Sequence, residues 1–193
     1  MTLPEFLAWE ERQELRYEFD GFQPVAMTGG TLRHDRITFG LQGALDRTLR
    51  GKPCRPFGPN VKILTPAGTA RYPDGLITCA PVSPRATVVE NPVVVFEVTS
   101  EGTSRTDRIL KLREYQAVPS ILRYVILEQD AVAATVFERR GTDWIVQALT
   151  ETDRLAMPEA GIEMSLAEIY EGIEIGPEAG EQEPPADPRI GRE

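Results

Sequence analysis

The chain has 193 residues, 41% of them hydrophobic and 26% charged, which suits one domain with its own core; no apolar run approaches the roughly 20 residues of a membrane span. A net charge of −9 argues against a broad basic surface of the kind that gives sequence-blind nucleic-acid affinity, although a locally basic cleft stays open. One histidine and two distant cysteines argue against zinc, so any metal would be a hard cation on oxygen ligands, such as Mg²⁺ or Mn²⁺.

The N-terminal stretch "MTLPEFLAWEERQ" lacks a basic segment followed by an apolar one, so no signal peptide is expected and the cytoplasm is the default compartment. In such a compartment Cys54 and Cys79 are expected as free buried thiols. "TLPEF" predicts a helix start, with Thr2 as N-cap, Pro4 in the first turn and Glu5 closing a capping box, and the helix is expected to run to about Gln13. "LRYEFDGFQPVAM" reads as a hairpin turning at Asp20-Gly21, with Glu18 on a strand.

Ile37, Leu41, Ala44, Leu45 and Thr48 recur with a helical period, which predicts a long core helix from Leu32 to Leu49 ended by Gly51. Short strands are expected at 61–64 and 75–78 around the turn segment "TPAGTA". A central buried strand follows at about 93–98, then a helix from about Ser104 to Ala117, started by Ser104 or Thr106 and stopped by Pro119. Three further strands are expected at 121–127, 131–137 and 143–149, and a short helix at 165–172. The pattern is an α/β (α+β mixed) domain with a central mixed sheet flanked by helices. Beyond residue 175 the Pro-, Gly- and Glu-rich tail carries five acids against two arginines and has little to bury, so 176–193 is expected to be disordered.

Four features carry candidate chemistry. Asp74, in "RYPDGLI", stands at the mouth of a strand. Glu97 interrupts the apolar run "VVVFEV", where an unpaired charge would cost several kcal/mol. Asp107 and Lys111 share one helix face four residues apart, and Glu18 lies on the early hairpin. Two carboxylates from neighbouring strands can hold a divalent cation, with a nearby lysine to orient water and stabilise charge on a phosphate. By residue type alone, Glu97 is equally an edge residue facing solvent, Asp107 and Lys111 a surface ion pair, and "PD" a common turn.

The order "YEFDG … RHDRI … PDG … VVVFEVTS … TDRILKLREY … RYVIL" resembles the PD-(D/E)XK nuclease superfamily, and more closely the Uma-type restriction endonuclease family, from about Tyr17 to Leu127 and more faintly to about residue 170. The resemblance implies a single restriction-endonuclease-like domain over 1–175 that hydrolyses DNA with Mg²⁺ or Mn²⁺, as a homodimer. Asp74 and Glu97 match its catalytic metal ligands, and Glu18 a further ligand. The superfamily places a lysine two residues after the second acid; here that position is Thr99, and Lys111 on the following helix matches the replacement. His34 matches a histidine position near the start of the long helix, where a helix-end hydrogen bond is expected. Asp107 would orient Lys111 or Arg108, and Tyr115 would pack. A catalytically inactive binding or assembly module on the same fold is the alternative. A two-carboxylate glycosidase ranks last, because 7% aromatic content leaves few sugar-stacking platforms.

Overall fold

The computed structural model describes residues 1–27, 29–99 and 105–175; the side chains of residues 105–107 are not among those described. The expectations for the acidic tail and for Ser104 as helix starter fall outside that set, whereas Thr106 is already inside the helix, which begins at Arg105. Among the described residues no helix is long and apolar enough to cross a membrane.

Helix α1 spans Leu3–Glu10 and begins as its sequence requires: the Thr2 hydroxyl accepts from the Glu5 amide, and the Glu5 carboxylate accepts from the Thr2 amide. It ends a turn sooner than its pattern suggested. Strands β1 (Tyr17–Phe19) and β2 (Pro24–Ala26) form the hairpin. Asp20 closes its turn by accepting from the Phe22 and Gln23 amides. Stacked Phe6 and Phe19 rings, 4.9 Å apart, fasten α1 to this hairpin.

The long helix α2 spans Leu32–Leu49 and buries Ile37, Leu41, Ala44 and Leu45 along one stripe. After it come β3 (Arg55–Phe57), β4 (Ile63–Leu64), β5 (Ala70–Arg71), β6 (Gly75–Thr78) and β7 (Pro92–Val98). Helix α3 (Arg105–Ala117) crosses to β8 (Arg123–Leu127), followed by β9 (Ala133–Arg140), β10 (Asp143–Thr150), β11 (Arg154–Met157), β12 (Ile162–Ser165) and the one-turn helix α4 (Leu166–Ile169). The sequence reading missed β3, β5, β11 and β12. All are two to four residues long, too short for a period-two pattern to declare itself.

The main sheet has the order β10-β9-β8-β7-β6-β3. Only β7 and β8 run parallel in it, joined by the α3 crossover; its other pairs are antiparallel. Alternation along β7 divides the core. Val94, Phe96 and Val98 join Ile37, Leu41 and Leu45 of α2 on one face, whereas Val95 joins Leu76, Tyr115 and Tyr124 on the other. Glu97 is two residues beyond Val95 and therefore belongs to the face covered by α3. A smaller sheet, β2-β1-β5-β4, stands beside the main one and carries Glu18 on β1 and Arg71 on β5.

Two glycines set how closely α2 approaches. A Cβ at Gly75 would stand 2.9 Å from Gln42 Nε2 and 3.1 Å from Leu41 Cδ2; its absence lets Gln42 Nε2 donate to the carbonyl of Asp74 at 3.1 Å. At Gly40 a Cβ would stand 2.0 Å from the carbonyl oxygen of Ile169, so the α2–α4 contact requires glycine.

Cys54 and Cys79 form a disulfide, contrary to the free thiols expected. Strands β3 and β6 pair antiparallel with Arg55 opposite Thr78, so the next rung sets Cys54 opposite Cys79. Separation in sequence gave no hint of this pairing, because β3 itself went unseen.

Two outcomes follow for stability. Gly40→Ala is expected to cost about 1–3 kcal/mol by overpacking, lowering Tm by at least ~2 °C in thermal unfolding followed by circular dichroism. Thiol titration of the unfolded, unreduced chain is expected to find no free cysteine, and reduction to lower the urea-unfolding free energy by about 2–4 kcal/mol.

Candidate active site

The β6–β7 ladder opens with Gly75 opposite Phe96, so Asp74, just before β6, and Glu97, just after Phe96 on β7, come to the same end of the pair. Asp74 is fixed from two sides: its Oδ2 accepts from the Val98 amide at 2.7 Å and lies 3.3 Å from His34 Nε2. The His34 backbone amide donates to the Thr31 hydroxyl at 3.1 Å, the N-cap bond of α2. The ring does separate work by reaching Asp74.

Glu97 is 14% exposed and closely held. The Tyr115 hydroxyl donates to its Oε1 at 2.7 Å, and Lys111 Nζ lies 3.3 and 3.4 Å from its two oxygens. Lys111 and Tyr115 are one turn apart on α3, so a single helix face supplies both. Lys111 Nζ also lies 3.4 Å from Glu18 Oε1. Glu18 in turn accepts from the Tyr72 amide at 3.1 Å and from Arg71 at 3.0 Å.

Arg71 ties these elements together. It is 4% exposed and grips Glu114 of α3 with two bonds, of 2.7 and 2.8 Å, while its third reaches Glu18 on β1. Arg71, Tyr72 and Glu114 escaped the sequence reading. Glu114 could have been found by following the Asp107–Lys111 face one turn further; Arg71 could not, because β5 shows no pattern.

Of the other residues singled out, Arg108 lines a cavity of about 30 Å³ with Glu97, Thr99 and Lys111. Asp107 lies on α3, with its side chain outside the described set. Thr99 is buried and its hydroxyl accepts from the Gln129 amide at 3.1 Å, pinning the end of β7 to the segment after β8. Asp74, Glu97, Lys111, Glu18 and His34 thus meet at one end of the sheet.

The electrostatics match the crowding. Burial pushes the Glu97 carboxyl up to about 7; Lys111 opposes this, the charges of Asp74 and Glu18 add to it, and the Tyr115 hydroxyl lowers it. The hydrogen bond to Asp74 raises His34 against burial, helped by the charges of Asp74, Glu97 and Asp35. Burial and then the Glu97 charge hold the Tyr115 hydroxyl well above its ordinary value.

Four carboxylates (Glu18, Asp74, Glu97 and Glu114) are matched by two permanent cations, Lys111 and Arg71. The donor set is therefore hard, oxygen-rich and short of positive charge, which fits Mg²⁺ or Mn²⁺. Among the described residues no group of three or more His, Cys, Asp or Glu side chains is placed to hold an ion. Mg²⁺ suits such a site, since it is commonly held by one or two carboxylates with water and substrate phosphate completing the shell.

Three kinds of likeness accompany this geometry. The Uma2 family model, described as "Putative restriction endonuclease", matches residues 3–168. "Uncharacterized protein slr1290" of Synechocystis sp. (strain ATCC 27184 / PCC 6803 / Kazusa) is 30% identical over 173 residues, 88% of this chain and 90% of that protein. "Uncharacterized protein sll1609" of the same organism is 24% identical over 156 residues, 77% of this chain and 87% of that protein. A crystal structure from Anabaena variabilis ATCC 29413, described as "a putative nuclease belonging to DUF820", matches with a TM-score of 0.72 at 14% identity over 88% of this chain and 97% of that one, a likeness of fold.

Both raised groups make stability fall as pH rises. His34 binds its proton more tightly in the folded chain, so its contribution is complete below about pH 6.5 and is lost above the raised folded value. Glu97 keeps a proton in the folded chain that the unfolded chain releases near its ordinary value of 4.5, so stability drains between there and about 7. Urea unfolding from pH 5 to 8 is expected to show this decline, and His34→Gln and Glu97→Gln each to flatten part of it. A wild-type profile that rises over this range would refute the assignment.

Proposed function

The chain belongs to the Uma2 family, whose description is "Putative restriction endonuclease", and from that premise we propose that it is a metal-dependent endonuclease acting on DNA phosphodiester bonds through Asp74, Glu97 and Lys111. The observation that carries the reading is Lys111 Nζ at 3.3 Å from Glu97 Oε1, a helix-borne ammonium at the carboxylate that lacks a lysine two residues downstream.

In this reading Asp74 and Glu97 hold Mg²⁺ or Mn²⁺, which when bound polarises the scissile phosphate and acidifies a water. The chain's own groups do the positioning. The Val98 amide and His34 fix one oxygen of Asp74, and the Tyr115 hydroxyl fixes one of Glu97. Lys111 donates to the phosphate oxygens as negative charge grows on them, at short range in a site partly closed to water. Glu18 holds Lys111 over Glu97, or supplies a further ligand. Cutting two strands takes two sites, so a homodimer belongs to the same reading.

An inactive binding module on this fold is favoured by one observation, the absence among the described residues of a three-ligand cluster. Cleavage of supercoiled plasmid with Mn²⁺ or Mg²⁺ separates the two. Glu97→Ala is expected to abolish cleavage and weaken Mn²⁺ binding by calorimetry, and Lys111→Ala to slow cleavage by roughly 10²-fold with Mn²⁺ binding kept. A Glu97→Ala variant that cuts like the wild type would sink the mechanism.

A further inference from the structure

Tyr72 joins the carboxylate cluster to a second polar assembly. Its amide donates to Glu18, while its hydroxyl donates to Glu10 Oε1 at 2.6 Å on α1. Glu10 also accepts from Lys62 Nζ, and Lys62 lies with Nζ 5.4 Å from the centre of the Tyr72 ring. All three are buried, yet all three line a cavity of about 670 Å³. That volume falls within the range of about 300–1,000 Å³ usual for small-molecule sites.

A buried ion pair is weak evidence of a stabilising role, since an apolar pair of similar size often serves as well. Glu10 spends its two oxygens on Lys62, Tyr72 and, at 3.4 Å, the Tyr17 amide. The Lys62 ammonium has three N–H donors, and among the described residues Glu10 is that ammonium's one hydrogen-bond acceptor. The floor of the cavity therefore offers donors to an incoming acceptor.

The remaining lining defines that acceptor. Glu10, Glu11 and Glu14 outnumber Arg16 and Lys62, so a phosphate meets net negative charge. Leu15 and Met27 give an apolar wall. A ligand that fits has a ring carbonyl for Lys62, an amino group for the acidic rim and a flat face for Leu15 and Met27. The Tyr72 amide donates to Glu18 Oε1, which also lies 3.4 Å from Lys111 Nζ, so one residue borders both the cavity and the carboxylate site.

We propose that this cavity receives a nucleobase of the substrate strand, next to the scissile phosphate, and prefers one carrying both a ring carbonyl and an exocyclic amino group, guanine or cytosine. The proposal rests on the nuclease reading for its substrate. Its ligand set is separate from that of the phosphodiester chemistry, so the two are testable apart.

The test is fluorescence anisotropy with the full chain, in EDTA, on a short single-stranded oligonucleotide through which one abasic residue is walked. One position is expected at which base loss weakens binding roughly tenfold, on the scale of a single base contact. Thr87 and Leu15 are exposed at the rim, so Thr87→Trp and Leu15→Trp fill the cavity without disturbing the core. Each is expected to weaken the intact oligonucleotide by about the same factor and to leave the abasic one unchanged. Lys62→Met is expected to erase the preference for guanine and cytosine over adenine, which has the amino group but no ring carbonyl. A flat abasic scan, or rim variants that weaken intact and abasic strands equally, would overturn the pocket even if the wild type cleaves plasmid. Positional discrimination in a chain that never cleaves would uphold the pocket and remove the enzyme. No binding to any oligonucleotide would overturn it outright.

Discussion

A carboxylate set into the apolar row of a central strand has to be matched where it stands, and the candidate site grows from how Glu97 is matched. Its row continues Val95 on the face covered by α3, so the groups that answer it come from that helix: Lys111 and, one turn on, Tyr115. The match is partial. Burial, with the charges of Asp74 and Glu18, raises the carboxyl against the pull of Lys111, the kind of perturbation that marks a functional-site candidate. The pairing of β6 with β7 adds to that tension by bringing a second acid to the same end of the pair.

Arg71 makes the arrangement rigid. Its planar guanidinium spans α3, through Glu114, and the hairpin, through Glu18, so the crossover helix and the small sheet are indexed to one cation. Lys111 lies one turn from Glu114 and inherits its position from that clamp. The Lys111 head group, held at Glu97, has a second fixed point in Glu18 at 3.4 Å.

Sequence reading reached this site unevenly, for physical reasons. The elements with many residues in register (α2, β7, β9 and β10) were legible because a period needs several repeats to show itself. Asp74, Glu97 and Lys111 were legible through their order along the chain. The supports were not. Arg71 sits on a two-residue strand, Tyr72 acts through its amide as well as its ring, and the Cys54–Cys79 bond depends on β3, which carries no alternation. Contacts made by backbone amides, such as Val98 to Asp74, leave no trace in residue type at all.

Thr99, two residues after Glu97, is committed to a structural join. Its hydroxyl and carbonyl are both used to tie the end of β7 to Gln129, a buried join that the parallel β7–β8 pair needs where its ladder stops. A lysine there would carry an ammonium into that join and leave the Gln129 amide without its acceptor, at a cost of about 1–3 kcal/mol for the orphaned donor alone. Lys111, on α3, brings its ammonium to Glu97 and leaves the Thr99–Gln129 join intact. The clamp through Arg71, Glu114 and Glu18 fixes the platform from which Lys111 extends.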